Sequence, residues 1–211
     1  MIHRSKLFNH FIKSNSMQFS KLMPFVLGAA ITLSANTIFA QGGTSMKAEA
    51  TVQVGGEAMF PMKNIVENAV NSKAHTTLVA AVKAADLVGT LQTAGPFTVF
   101  APVNDAFENL PAGTVETLLK PENKATLTKV LTYHVVAGKL NFNAIRAKIK
   151  AGKGSAAMKT VSGGTLIAKM NGMHNITLTD ENGGVANITT YDVYQSNGVI
   201  HVLDTVVLPK M

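Results

Sequence analysis

Gly163-Gly164, Asn182-Gly183-Gly184 and Asn197-Gly198 cut the last third of the chain into runs too short for anything but strands. Glycine and asparagine tolerate the positive φ that tight hairpins require. The stretches between and beside them, 165–169, 176–179 and 199–203, are rich in Val, Ile, Leu and Thr, several of them side chains suited to a half-buried pleated surface. About five strands are therefore expected between 158 and 208.

The first half keeps a different period. Leu78, Ala81, Val82 and Ala85 recur at helical spacing behind Thr77, read as a cap, and Asn64 precedes a similar run through Ile65 and Ala69. Pro121 and Glu122 open another helix whose apolar stripe is Leu127, Val130 and Leu131, with His134 at the next step of the series. The stretch 95–102, Phe and Val bracketed by prolines, reads as a buried strand. After Asn141 a helix places Phe142, Ile145 and Ile149 inward and Arg146, Lys148 and Lys150 outward. Helices followed by strands predict an α+β fold, a helical N-terminal half packed on a small twisted, sandwich-like sheet in the C-terminal half.

Residues 1–40 hold Arg4, Lys6, Lys13 and Lys21, no acidic residue, and then an apolar run ending at Ala40. That order is a signal peptide's, with cleavage expected after Ala40 and either Met1 or Met17 as the start. The apolar core 25–33 falls short of the roughly 20 residues that span a bilayer, so no membrane span is expected after cleavage. Loss of those four basic residues lowers the net charge from +7 to +3, which removes the main argument for nucleic-acid binding. Residues 41–60, small, polar and glycine-rich, are expected to be a flexible linker, and 61–209 a single domain. No cysteine occurs, which excludes disulfides, thiol chemistry, a lipid-modified N-terminal cysteine and thiolate metal sites. The core must stabilise the fold alone.

Three segments, 98–107, 131–136 and 197–209, resemble in order and spacing the three signature boxes of the fasciclin domain, the type found in transforming-growth-factor-induced protein and periostin. The resemblance implies an exported α+β domain used for adhesion or extracellular binding, secreted or periplasmic, and not an enzyme. It also implies an adhesive reading of Tyr133 and His134, and of Asp192-Val193, which match an Asp-Ile pair of the matrix relatives although Tyr191 and Tyr194 differ from them. Read from the residues alone, His134 sits on an apolar stripe and needs a hydrogen-bond partner, for which Asp105 is the candidate. Phe100 and Asn104 are expected to be structural, Asn104 by satisfying nearby turn backbone or by capping a helix.

Chemistry is sparse. No histidine pair has metal-ligand spacing, and there is no nucleophile elbow, phosphate loop or dinucleotide fingerprint. Neither a metal nor a cofactor is expected. Ser196, His201 and Asp204 are triad residue types, but His201 and Asp204 stand three apart and would face opposite sides of a regular strand. Between Glu122 and Asp180 the chain has no acidic residue but many basic ones. Arg146, Lys148 and Lys150 thus form a candidate surface for an anionic polysaccharide or a protein's acidic face, or an ordinary solvated face. A monomer is expected. The rival to a binding role is a structural envelope or biofilm-matrix component.

Overall fold

The computed structural model describes residues 50–210. The expected signal peptide, its cleavage after Ala40 and residues 41–49 of the expected linker lie outside the described residues. The first element is a hairpin of β1 (Val52–Val54) and β2 (Glu57–Met59), which corrects the linker expectation for these residues. Val54 and Met59 are buried in one cluster with Ile65, Ala101 and Val202. The glycines that suggested a linker are its turn, Gly55 and Gly56 both having positive φ.

Helices α1 (Ile65–Ala69), α2 (Thr76–Ala84) and α3 (Val88–Gln92) follow. Asn64 caps α1 through a reciprocal pair of bonds with Glu67, a capping box. Next come β3 (Phe97–Pro102), α4 (Asn104–Glu108), α5 (Thr114–Leu118), α6 (Lys124–Tyr133), β4 (Val135–Ala137) and α7 (Phe142–Ala151). The expected strand-rich half is β5 (Ser155–Lys159), β6 (Thr165–Asn171), β7 (Asn175–Thr179), β8 (Val185–Gln195) and β9 (Gly198–Leu203).

These strands make a seven-stranded sheet ordered β4-β3-β9-β8-β7-β6-β5. Every neighbouring pair is antiparallel except β3 with β9. The parallel pair sits inside the sheet and is covered on both sides, as such strands usually are. On one face Phe100 and Leu203 join Ile145 and Ile149 of α7. On the other, Val99, Ala101, Ile200 and Val202 meet Ile65 and, less deeply, Leu78 and Leu91. A third cluster joins α2 to α6 through Ala81, Ala85, Leu127 and Leu131.

Two glycines of the turn pairs do different work. Gly183 has φ +86, the left-handed conformation a hairpin turn demands. Gly198 does not have positive φ; a Cβ there would stand 2.2 Å from the Phe97 carbonyl oxygen. Its lack of a side chain lets β9 close on β3.

Candidate functional site

Tyr133 and His134 end α6, and both are buried. The Tyr133 hydroxyl donates to the Thr165 carbonyl at 2.8 Å and accepts the Glu181 amide at 3.2 Å. Burial pushes this phenol up to about 12. His134 Nδ1 lies 2.8 Å from the Val130 carbonyl, and the Val207 amide approaches Nε2 at 3.3 Å. A carbonyl can only accept and an amide can only donate, so the ring is neutral with its proton on Nδ1. Burial pushes His134 down to about 4.

The expected Asp105–His134 bond does not form. Asp105 is exposed on α4, while the ring is satisfied by a carbonyl of its own helix and by the chain near the C-terminus. Asn104 does serve backbone, though of a distant segment. Its Oδ1 accepts the Thr77 amide at 3.1 Å, and its Nδ2 donates to the Lys73 carbonyl at 2.9 Å. It therefore serves the start of α2, the position assigned to Thr77 from the sequence.

Asp192 and Val193 do not form an exposed contact pair. Val193 is 1% exposed, and Asp192, with φ +57, lies where the β8–β9 register shifts. The irregularity re-aims the carboxylate, whose Oδ1 accepts the Phe142 amide at 2.7 Å. Asn141 Oδ1 accepts the Ala144 amide at 2.9 Å. Two side chains thus satisfy two of the opening donors of α7.

His201 is buried directly beneath. Its Nε2 lies 2.8 Å from the Leu140 carbonyl, its ring stacks on Phe100, its register partner, and the Tyr191 ring meets it edge-on. Ser196 is exposed, and both Asp204 oxygens are taken by Asn187, at 2.8 and 2.7 Å. Ser196, His201 and Asp204 therefore bond in separate places.

What remains outward is α7. Arg146, Lys148 and Lys150 are exposed, as expected, while Ile145 and Ile149 are buried beneath them. Helical geometry puts Arg146 and Lys150 one turn apart on one flank and Lys148 on the other. Among the described residues the ion pairs are Lys73–Glu57 and Lys124–Asp86, and neither involves α7. Lys148 and Lys150 occupy the last turn, where positive charge also complements the helix dipole. At the other end, the Lys139 ammonium sits 4.6 Å from the centre of the Tyr194 ring.

Sequence reasoning missed Asn197. Its Oδ1 accepts the Ile65 amide at 3.0 Å, and its Nδ2 donates to the Leu91 and Thr93 carbonyls at 2.8 and 2.9 Å. One amide thus ties α1 and the end of α3 to the β8–β9 turn. The signal was present, an Asn beside a Gly, but it also fits an ordinary turn.

The fasciclin domain family model matches residues 73–209. Protein sll1483 of Synechocystis sp. is 46% identical over 167 residues, covering 77% of this chain and 83% of that protein. Transforming growth factor-beta-induced protein ig-h3 of Sus scrofa is 31% identical over 150 residues, covering 71% of this chain but 20% of that protein. The structure of a FAS1 domain pair from the insect cell adhesion molecule fasciclin I superposes with a TM-score of 0.61 at 17% identity. That match covers 70% of this chain and 51% of the other, and it shows a shared fold.

Proposed function

This chain belongs to the fasciclin domain family, and on that premise we propose that it is an exported, non-catalytic adhesion module. It meets an anionic polysaccharide, or a protein's acidic face, through the exposed cations of α7. The observation that carries this reading is the separation of interior from exterior. Tyr133, His134 and Val193 are buried, whereas Arg146, Lys148 and Lys150 are exposed on a helix held by its buried Ile145 and Ile149. Exposed cations on the two flanks of one helix raise the local concentration of an anionic partner.

Export rests on the basic leader followed by a short apolar core, which sends the protein to the periplasm or the medium. Among the described residues no helix is long and apolar enough to cross a membrane.

The test is retention of the purified protein on immobilised alginate, with neutral dextran as the control. The protein should bind alginate at low salt and elute as salt rises, since exposed charges are screened. The R146E/K148E/K150E variant should pass through. Equal retention of the variant contradicts the reading; no retention of either protein on alginate, together with no binding to cell surfaces, favours a structural role without a dedicated ligand.

A further inference from the structure

The chain has three Asn-Gly pairs, at 171–172, 182–183 and 197–198, and each lies at a turn between neighbouring strands of the sheet. Such a pair carries its own electrophile, the Asn Cγ, and its own nucleophile, the Gly amide nitrogen. With no side chain on the second residue, nothing shields one from the other. Whether they meet is decided by the bonds and packing that hold each.

Two of the pairs are held. Asn197 Nδ2 donates to the Leu91 and Thr93 carbonyls and its Oδ1 accepts the Ile65 amide, while Gly198 is pressed against the Phe97 carbonyl of β3. Asn182 Nδ2 donates to the Leu208 carbonyl at 2.9 Å and to the Pro209 carbonyl at 3.3 Å. The Gly183 amide, the nucleophile of that pair, donates to the Asp180 carbonyl at 3.2 Å. Reaction at either pair must first open these contacts.

The third pair is free. Asn171 closes β6 opposite Asn175, and Gly172, Met173 and His174 form the turn. All four residues from 171 to 174 are exposed, Met173 at 76%. Among the described residues neither the Asn171 carboxamide nor the Gly172 amide has a hydrogen bond. Gly172 has φ +77, and a Cβ built there would meet nothing within 4 Å, so no neighbour confines the backbone as it rotates.

We propose that Asn171 is a site of spontaneous covalent modification in the folded protein, with water as co-reactant, and that Asn182 and Asn197 are protected by the bonds that hold them. Hydroxide removes the Gly172 amide proton, and the nitrogen attacks Asn171 Cγ. The new C–N bond closes a five-membered imide as the Cγ–Nδ2 bond breaks and ammonia leaves with a proton from water. Water then opens the ring. Cleavage at the side-chain carbonyl leaves an ordinary aspartate; cleavage at the main-chain carbonyl leaves an isoaspartate, whose backbone runs through Cγ. Either product sets a carboxylate, ionised at neutral pH, where the neutral amide stood. No residue from 171 to 174 belongs to a buried cluster, so the domain stays folded as it reacts.

The test incubates the purified protein in mildly alkaline water labelled with heavy oxygen, folded or unfolded in urea, then digests it in ordinary water and maps the fragments by mass spectrometry. Label enters only where an imide opened during the incubation. The unfolded chain, in which all three pairs are free, sets the duration. In the folded protein label should collect at 171 in both aspartate forms, and at least about tenfold less at 182 and 197, the worth of two or more net hydrogen bonds. Asn171→Gln, which would have to close a slower six-membered ring, should lose the label there without changing the other two pairs. Equal labelling of the three pairs, or a folded protein unlabelled at 171 while the unfolded chain reacts, would overturn the proposal.

Discussion

At the scale of single residues, buried histidines set how the protein answers acid. His134 is held neutral between a carbonyl and an amide and pushed from 6.5 down to about 4; burial lowers His75 and His201 as well. A depressed histidine binds more protons unfolded than folded, so its stabilising share is complete above about 6.5 and disappears as pH falls towards 4. For His134 alone the loss is about 3 kcal/mol. Urea unfolding at stepped pH should show stability falling through that window, with a shallower fall in His134→Gln; a flat profile would contradict the neutral buried ring. Tyr133 makes a second case. Tyr133→Phe removes both bonds of the hydroxyl and should cost about 1–2 kcal/mol. Gly164→Ala should destabilise by about 1–3 kcal/mol, because its Cβ would meet the Tyr133 ring at 2.6 Å. Burial of His134, though not of Tyr133, was legible in the helical stripe through Val130 and Leu131. Their partners were not, since carbonyls and amides leave no mark in a sequence, and the carboxylate nearest in motif, Asp105, lies on the surface.

At the scale of elements, α7 depends on β8. Asp192 holds the first amide of the helix and adopts φ +57 to do so. Asp192→Ala loses that bond and places alanine in the left-handed region, a combined cost of about 2 kcal/mol. Asp192→Gly loses the bond but eases the backbone, so its urea midpoint should fall less; equal losses would show that the conformation carries no strain. Asn197→Ala should cost more, about 3 kcal/mol, because it strands an amide and two carbonyls at once. Most elements were readable from periodicity and turn residues, including the inward and outward faces of α7. The β1–β2 hairpin was not, because Gly55-Gly56 has the composition of a linker and only the burial of Val54 and Met59 distinguishes the two. Nor was the β8 irregularity, whose re-aimed Asp192 follows from a register shift that no spacing rule records.

At the scale of the whole molecule, the family's signature segments meet around the parallel pair β3 and β9, where they are covered on both faces. Packing accounts for the buried residues of these segments, and on the proposed reading recognition falls to side chains that packing does not use. Arg146, Lys148 and Lys150 are such side chains, so reversing all three should cost only what Lys148 and Lys150 lose against the helix dipole in the last turn, about 1–2 kcal/mol. The most direct test of this division is backbone amide NMR during titration with an alginate oligosaccharide. The account predicts that shifts concentrate on α7 from Asn143 to Ala151 and spare 133–136 and 191–194. Shifts centred on those two segments, with α7 unmoved, would contradict it.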